Sequence, residues 1–499
     1  MSKRLPSTSD QRDKRNKHCS FAGWGHPAHK GRRSEPGSVG GGATPRGASP
    51  RETSCSFLTY PLTRRAVLRA ALAAPAALTL AGCGGKSRGG SVKINYWEKW
   101  TKFEGQACAD MVAAFNEKFK GRIEVEVLTV SQIERKLLVA IAGGNPPDVA
   151  GSYAFCVCPY ADRNALTPLD DLLKAEGMGR ADYVPVFWDM CEHRGRMWAL
   201  PTTPATVALH WNKRLFRDAG LDPNRPPKTI AELDALAEKL TKRDADGSLA
   251  QVGYLPQEPG WWNWAWGFWF GGRLWDGKET ITADCAGNVR AFEWIRSYSE
   301  KYGVDDIRRF ASGFGNFSSP QNAFLSGKVA MELQGVWMHN FINMYAKGME
   351  WDAAPFPSAV LGKDDISVAD SDVIVIPRGS RHPKEAWEFI KFTNSQEGME
   401  ILCNGQRKFS PLRKVSDGFW ENAEHPRLRL FRDLAESPNV VALPKMGVWR
   451  EYQRELTNAF DSVRMMNATP QKALGEVQER IQASLDRELR RLRLRGVIA

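Results

Sequence analysis

The chain has 499 residues, of which 42% are hydrophobic and 25% are charged, and its formal net charge at pH 7 is +12. Residues 1–83 carry 14 lysines and arginines against 4 acidic residues, so this segment leaves only about +2 for the rest of the chain. A nucleic-acid-binding domain needs a basic face on its folded part, so the charge distribution disfavours nucleic acid as a partner. The roughly 415 residues that remain exceed what one hydrophobic core usually supports, which predicts two domains or two lobes.

An apolar stretch at residues 66–81 follows Arg64–Arg65 and runs into Leu80-Ala81-Gly82-Cys83. It is shorter than the about 20 residues of a membrane span and is interrupted by Arg69 and Pro75. A cleaved export signal is therefore favoured over a transmembrane helix. Leu-Ala-Gly-Cys resembles the bacterial lipoprotein box, which implies acylation of Cys83.

We accordingly predict a signal peptide at residues 58–83, with Cys83 as the lipidated N-terminus of the mature protein. Two adjacent arginines suit either twin-arginine or general secretion, and both routes stay open. Residues 1–57 are rich in Gly, Ser, Pro, Arg and Lys without an apolar period, which predicts a disordered or untranslated leader. The true start codon also stays open.

The cysteines give less information than the predicted compartment suggests. An even number in an exported protein allows disulfides, but spacing does not reveal their pairing. Cys156-x-Cys158 lacks the two-plus-two ligand spacing of a zinc site. We expect no metal and no cofactor, and either buried thiols or one disulfide among the six cysteines that follow the lipobox: Cys108, Cys156, Cys158, Cys191, Cys285 and Cys403.

Strand-like and helix-like segments alternate along the chain, which predicts an α/β fold with mostly parallel sheets and covering helices. The predicted strands are Val92 to Tyr96, Ile123 to Val130, Val149 to Gly151, Val207 to Trp211, Val329 to Leu333 and Val373 to Ile376. The predicted helices are Gly105 to Phe119, Ser131 to Ala142, Asn212 to Phe216, Ile230 to Lys239, Asn288 to Glu300, Pro320 to Leu325, Pro383 to Thr393, Gln396 to Cys403 and Thr469 to Leu494.

Tryptophan is the residue type most suggestive of a ligand. There are 18, and they cluster at Trp97 and Trp100, between Trp261 and Trp269, and at Trp337 and Trp449. An indole offers a flat apolar face and one N–H donor, which suits the C–H faces and hydroxyl edges of sugars. The alternative for the Trp261–Trp269 run is core packing, because Trp262, Trp266 and Trp269 have helical spacing. The run's first members follow the turn Glu258-Pro259-Gly260 and are the better ligand candidates.

The order of motifs from Val92 onward resembles the family 1 extracellular solute-binding proteins of ABC importers. The motifs are Asn95-Tyr96-Trp97-Glu98, Phe115-Asn116-Glu117-Lys118-Phe119, Ala142-Gly143-Gly144-Asn145-Pro146-Pro147-Asp148-Val149, Ala165-Leu166-Thr167-Pro168-Leu169-Asp170, Leu200-Pro201, Trp211-Asn212-Lys213, Pro227-Lys228-Thr229, Phe324-Leu325-Ser326-Gly327-Lys328-Val329-Ala330-Met331, Gly335-Val336-Trp337, Ile376-Pro377-Arg378-Gly379 and Ser395-Gln396-Glu397-Gly398. The resemblance implies the two-lobed periplasmic-binding-protein fold with several hinge crossovers. It places residues 92–203 with 358–410 in lobe 1, and 204–357 with 411–499 in lobe 2.

Ligand contacts in that family come from loops at strand ends that face the cleft. By resemblance, the aromatic and first-lobe contacts would be Trp97, Glu98, Ser152, Tyr153, Trp261, Trp262, Trp337 and Trp449. Glu98 and Asp370, with Ser371, would accept hydrogen bonds from hydroxyls, and Arg413 would donate to ring or phosphate oxygens. The alternatives are a solvated loop charge for Glu98, a strand cap for Asp370 and a surface ion pair for Arg413. Ala205 stands where the maltodextrin-binding pattern has an acidic residue, which disfavours a maltodextrin ligand.

The resemblance implies a non-enzymatic, lipid-anchored, monomeric solute-binding protein at the periplasmic or outer face of the cell membrane. It would capture a carbohydrate and deliver it to the permease subunits of an ABC importer. Two alternatives stay open: a binder of a glycerol phosphate or polyol, and a secreted glycoside hydrolase, since tryptophan-lined clefts with paired carboxylates also cleave glycosides. The sequence identifies neither the ligand nor the permease.

Overall fold

The computed structural model describes residues 90–316 and 318–498; the expected leader, signal peptide and Cys83 lie outside them. The strands are β1 (Val92–Glu98), β2 (Ile123–Thr129), β3 (Val149–Tyr153), β4 (Glu192–His193), β5 (Arg196–Met197), β6 (Leu200–Ala205), β7 (Val207–Asn212), β8 (Lys242–Arg243), β9 (Leu249–Tyr254), β10 (Val329–Gly335), β11 (Trp351–Ala354), β12 (Ser367–Val368), β13 (Asp370–Val375) and β14 (Val440–Val441). The α-helices are Lys102–Lys118, Ile133–Ala142, Ala154–Ala161, Asp170–Glu176, Pro185–Cys191, Lys213–Asp218, Ile230–Leu240, Ala286–Tyr302, Val304–Ala311, Met338–Tyr345, Pro383–Thr393, Gln396–Gln406, Asp417–Glu421, Leu428–Glu436, Trp449–Arg464 and Pro470–Leu494. Short 3-10 helices span Arg180–Asp182 and Trp266–Phe270.

The first sheet has the strand order β2-β1-β3-β13-β6. β1 is parallel to β2 and β3, whereas β13 is antiparallel to β3 and β6. Side chains alternate along β1, so that Ile94, Tyr96 and Glu98 point into the lobe and are buried. Helix Lys102–Lys118 covers this face with Met111 and Phe115. These elements enclose the first of two large hydrophobic cores.

The second sheet has the order β11-β7-β10-β9-β8, in which β9 and β10 are parallel and β7 is antiparallel to β10 and β11. Its core is rich in aromatic rings, among them Trp266 and Trp269, whose rings lie 5.6 Å and 5.4 Å from that of Phe356. The expectation that Trp262, Trp266 and Trp269 are core residues is confirmed, since all three are buried. The two-lobed α/β architecture thus has one core for each sheet.

Several crossovers join the lobes, and they are tied to one another. The first passes through Thr206, between β6 and β7, and its hydroxyl donates to the carbonyl of Phe431 at 2.6 Å. The next lies between β11 and β13, where the Ser367 hydroxyl contacts both the N–H and the carbonyl of Val207 at 2.9 Å. The last lies near β14, which pairs in parallel with β12. The hinge region is therefore a hydrogen-bonded unit and not a set of independent linkers.

The last crossover lies later in the chain than the expected boundary at residue 411. Leu412, Phe419, Leu428 and Phe431 all belong to the first core. The apolar stripe of helix Leu428–Glu436 packs there, and the chain enters the second core only after Val440. Residues 412–435 consequently belong with the first lobe.

Two further expectations need correction. The sheets are mixed and not mostly parallel, because the strands that follow the crossovers return in the opposite direction. Residues 320–325 form turns and not a helix. Asn322 explains this, because its side-chain oxygen accepts from the N–H groups of Phe324 and Leu325 at 2.9 Å, which competes with helical pairing.

Of the two alternatives for the cysteines, the structure shows free thiols and not a disulfide among the described residues. All six described cysteines are free, and five of them are buried, the exception being the partly exposed Cys285. Within residues 90–316 and 318–498, no helix is long and apolar enough to cross a membrane. The same residues contain no group of three histidine, cysteine or acidic side chains arranged to hold a metal.

Candidate functional site

Four strands of the first sheet bring their ends to one edge. β1, β3 and β6 end there at Glu98, Tyr153 and Ala205, and the antiparallel β13 begins there at Asp370. In the register, Asp372 lies opposite Tyr153 and Asp370 opposite Ala205. This is the carboxyl edge at which open α/β sheets bind ligands.

A buried charge cluster occupies this edge. The ammonium of Lys99 lies 3.0 Å from Oδ1 of Asp372 and 3.2 Å from Oε1 of Glu98. Burial works to lower the pKa of Lys99, but the Asp372 and Glu98 carboxylates outweigh it and raise the pKa above its ordinary value. Nearby, Lys408 pairs with Glu104 at 3.5 Å. Both lysines are thus neutralised by carboxylates of their own lobe.

Asp370 adds a carboxyl with different character. It is partly buried, and its Oδ1 accepts from the N–H of Ser371 at 2.8 Å. Burial, together with the charge of Asp372, raises the pKa of Asp370 to about 7. Near neutral pH this carboxyl therefore exists partly as the acid, which can donate as well as accept a hydrogen bond.

The second lobe presents an aromatic group at the carboxyl ends of the parallel strands β9 and β10. The ring of Trp337 lies 5.1 Å from that of Trp261 and 6.4 Å from that of Trp262, the latter pair being stacked. Trp337 follows Gly335, where a Cβ would lie 2.4 Å from the indole. Glycine at that position lets the indole fold back over the strand end. We call Trp261, Trp262 and Trp337 the tryptophan platform.

A polar chain holds the platform from below. The indole N–H of Trp337 donates to Oε1 of Gln334 at 3.0 Å, and the amide of Gln334 donates to Oε1 of Glu332 at 3.0 Å. Glu332 is fully buried on β10, and burial, with the nearby Glu258, raises its pKa to about 8. Burial likewise raises the pKa of Glu258, next to the platform in sequence, to about 7. At neutral pH the carboxyl of Glu332 is therefore largely protonated and that of Glu258 partly protonated.

Aromatic residues connect the two lobes. Trp337 and Phe155 each pack against both hydrophobic cores. Phe155 stacks on Tyr153 with 5.1 Å between centroids and 8° between planes, and the guanidinium of Arg450 lies 4.9 Å from the Phe155 ring. The platform and the charged edge therefore both reach the junction between the cores.

Comparisons with known proteins identify the family of the chain. The model of the family "Bacterial extracellular solute-binding protein" matches residues 104–400. The chain belongs to this family. The resemblance expected from the motif order is thereby confirmed.

Individual relatives of this solute-binding protein carry oligosaccharide names. The maltotriose-binding protein of Pyrococcus abyssi is 23% identical over 319 residues, which are 63% of this chain and 65% of that protein, so the chain spans about two thirds of its length. The arabinooligosaccharide-binding protein of Bacillus subtilis is 22% identical over 81% of this chain and 96% of the relative. The structure of CpMnBP1 with mannotriose bound superposes with a TM-score of 0.69 at 30% identity, covering 78% of this chain and 99% of that one.

The structure brings most of the predicted site residues of this solute-binding protein to the two groups. Tyr153, Asp370 and Glu98 lie at the edge of the first sheet, and Trp261, Trp262 and Trp337 form the platform. Ser152 lies at the same edge but is buried, with 1% of its surface exposed. Trp97, one residue before Glu98, alternates to the opposite face of β1 and is partly exposed.

Three predicted residues have other contacts. Glu98 is buried at 5% exposure and accepts from Tyr96, from the backbone N–H of Lys99 and from its ammonium. Trp449 is buried in the second core with its ring 5.0 Å from that of Trp264. Arg413 is exposed, and its Nε donates to the carbonyl of Tyr183 at 2.9 Å. In this conformation Glu98 is part of the buried charge cluster, Trp449 is part of the core, and Arg413 bonds to the backbone.

Sequence reasoning did not identify Lys99, Asp372, Glu258 or Phe155. Glu258 carried a usable signal, since it is the first residue of the turn that leads into Trp261. Phe155 lies two residues after Tyr153, which ends the predicted strand-end loop at Ser152 and Tyr153. The pairing of Lys99 with Asp372 had no local signal, because β13 joins the first sheet from far along the chain.

Proposed function

We propose that this solute-binding protein captures a short oligosaccharide between its two lobes and presents it to the permease of an ABC importer. The observation that carries the proposal is the tryptophan platform at the ends of β9 and β10, adjoining both cores. The partly exposed indoles of Trp261 and Trp337, with the buried ring of Trp262 behind them, provide the flat apolar surface that sugar C–H faces need. The ligands named for the three relatives above, maltotriose, arabinooligosaccharide and mannotriose, support the same substrate class.

The charges favour a neutral ligand over a phosphate ester. Lys99 and Lys408 already pair with Glu98, Asp372 and Glu104, so their charge is spent within the lobe. The carboxyls of Asp370 and Glu258 have a pKa raised to about 7, so near neutral pH they can both donate hydrogen bonds to hydroxyls and accept them. A phosphate would be repelled by the ionised fraction of Asp370 and Glu258, whereas the hydroxyls of a sugar or polyol can bond to these carboxyls in either protonation state. Glycerol phosphate is accordingly the weaker alternative.

Binding is proposed to work by closure about the hinge region. The first lobe offers its charged edge and the second lobe offers the platform, so a ligand touches both only when the lobes approach. The affinity difference between open and closed states then shifts the population toward the closed form. The tied crossovers at Thr206, Ser367 and β14 restrict this motion to a rotation about one region.

We further propose that the protein is exported by the signal at residues 58–83 and held at the periplasmic or outer face of the membrane by acylated Cys83. It acts as a monomeric carrier without turnover of its ligand. Glu98 is not available as the carboxylate of a hydrolase, because it is committed to Tyr96 and Lys99. Family membership supports binding as the activity of the chain.

A ligand screen tests the proposal. Melting temperatures are measured with mannobiose, mannotriose, maltotriose, arabinose oligosaccharides, simple polyols and glycerol 3-phosphate, and each hit is followed by calorimetry. A ligand present at 100 times its Kd stabilises the folded state by about 2.7 kcal/mol, which gives a clear shift. Failure of every saccharide and polyol to shift the melting point or release heat would overturn the proposal.

A matched pair of tryptophan variants tests the platform itself. Trp337→Ala is expected to weaken saccharide binding by at least tenfold. Trp275→Ala, in a turn of the same lobe where its indole donates to the carbonyl of Lys278, is the control and should leave affinity within twofold. Equal effects of the two variants would show that the platform is not the binding surface.

A further inference from the structure

The side chain of Lys99 is almost fully enclosed, with 6% of its surface exposed. Its ammonium contacts Oδ1 of Asp372 at 3.0 Å and Oε1 of Glu98 at 3.2 Å, and donates to the carbonyl of Ser152 at 3.4 Å. An ammonium has three N–H donors, and three oxygen partners are present. Lys99 is therefore saturated by its own lobe and has no donor left for a ligand.

The partners of Lys99 come from different strands. Glu98 is the last residue of β1, Ser152 lies at the end of β3, and Asp372 lies near the start of β13. The second oxygen of Asp372 accepts from the hydroxyl of Thr203 on β6 at 2.7 Å. One ammonium thus fixes, directly or through Asp372, the ends of all four strands that form the ligand edge of the first sheet.

Lys99 also holds two aromatic rings. Its ammonium lies 4.6 Å from the ring centroid of Tyr153 and 4.7 Å from that of Trp100, distances typical of cation–π contacts. The ring of Tyr153 also stacks on that of Phe155. The ammonium of Lys408 lies 4.6 Å from the Trp100 ring as well. The orientation of Tyr153 is consequently set from inside the lobe, before any ligand arrives.

We propose that Lys99 is a positioning residue of the ligand site, which preorganises the edge of the first sheet and the ring of Tyr153 without touching the ligand. The proposal rests on the proposed function, because the edge that Lys99 orders is the one assigned to the saccharide. Rigid placement raises affinity because a ligand then need not order the side chains that it contacts.

The affinity test uses mannotriose as probe and three variants. Lys99→Met removes the charge at similar length and is expected to weaken binding by at least tenfold. Lys99→Arg keeps the charge and should recover part of the loss. The control is Lys93→Met, at the opposite end of the same strand, where an exposed lysine pairs with exposed Glu124; it should stay within twofold of the wild type. Wild-type affinity in Lys99→Met would overturn the proposal.

A ligand-free measurement separates this proposal from the proposed function. With fluorotyrosine in the protein, the fluorine resonance of Tyr153, assigned by its loss in Tyr153→Phe, reports the surroundings of that ring. We expect Lys99→Met to shift or broaden it and Lys93→Met to leave it in place. An unmoved resonance in Lys99→Met would overturn the positioning role, whatever ligand the protein binds. Absence of saccharide binding to the wild type, with the resonance shifted, would instead sink only the proposed function.

A charge-balanced variant covers the case in which Lys99→Met does not fold. Removing the lysine leaves Glu98 and Asp372 buried without their cation, which is costly. Of the groups nearby, Tyr96, Asp370 and Cys108 supply no positive charge, and Lys408 is paired with Glu104. Lys99→Met with Glu98→Gln removes one charge of each sign and should fold. If Lys99 acts by positioning, this double variant still shows the displaced Tyr153 resonance and the weaker binding; wild-type values for both would contradict it.

Discussion

The indole of Trp337 lies over Gly335 so closely that a Cβ on residue 335 would come within 2.4 Å of two ring carbons. Gly335→Ala must therefore displace the indole from the platform. We expect saccharide affinity to fall about tenfold, on the order of 1.4 kcal/mol, while the fold is kept. Calorimetry measures the change. Gly313→Ala is the matched control, since a Cβ there meets no atom within 4 Å, and it should bind as the wild type does.

A buried histidine cluster predicts a loss of stability in mild acid. His210, His339 and His425 lie behind the hinge, and the rings of His339 and His425 are 4.8 Å apart. Burial lowers the pKa of His210 and His339 to about 4 and that of His425 to about 3. Unfolding exposes these rings to protonation, so the contribution of neutral histidine is complete above pH 6.5 and is lost as the pH falls toward 4.

Chemical unfolding at pH 7 and pH 4.5 measures that loss. A histidine pKa lowered this far corresponds to on the order of 3 kcal/mol, so the free energy of unfolding should be much smaller at pH 4.5 than at pH 7. His425→Asn is expected to reduce the pH dependence of the free energy of unfolding. Nδ1 of His425 accepts from the N–H of Arg427 only while the ring is neutral, whereas Nε2 can donate to the carbonyl of Val336 in either state. A pH-independent free energy of unfolding would contradict the prediction.

Glu332 predicts the opposite behaviour in alkali. Its folded-state pKa of about 8 lies above the ordinary value, so its stability contribution is present at low pH and is lost as the pH rises through 8. Glu332→Gln keeps an oxygen to accept from Gln334 but cannot ionise. We expect the variant to be more stable than the wild type at pH 9, by on the order of a few kcal/mol. Thermal unfolding at pH 6 and pH 9 checks this, with the exposed Glu124→Gln as control.

The predicted lipid anchor is tested at Cys83. In cells fed a labelled fatty acid, the wild-type protein should take up label and remain with the membrane fraction. Cys83→Ser should lose both properties, because a serine hydroxyl does not receive the lipid. Cys285→Ser, at a described free cysteine, is the control and should be labelled as the wild type. Label in Cys83→Ser would disprove lipidation at this residue.

Local sequence signals predicted the elements well because they are short-range. Ser395 caps helix Gln396–Gln406 through the N–H of Gly398, and Thr229 caps helix Ile230–Leu240 in the same way. Strand alternation could also have predicted the burial of Glu98. Ile94 and Tyr96 face inward, so the next inward position is Glu98, and the structure buries it.

The site was harder to predict because it depends on register and helix phase. Trp449, Tyr452 and Leu456 share one helix face, and all three are buried, which removes Trp449 from the surface. The ion pair of Lys99 with Asp372 exists only because β13 enters the first sheet beside β3. Such contacts follow from topology, which no local pattern of residue types specifies.

Phe155 makes two ring contacts of different kinds. Its contact with Arg450 joins the two lobes, whereas its stack on Tyr153 lies within the first lobe. Any rotation about the hinge region must change the separation of Arg450 and Phe155 while leaving Phe155 against Tyr153. The distance between Arg450 and Phe155 is therefore a measure of lobe opening. A pair of spectroscopic labels near positions 155 and 450 would read the degree of opening directly, one molecule at a time, with the inner aromatic pair as a fixed reference.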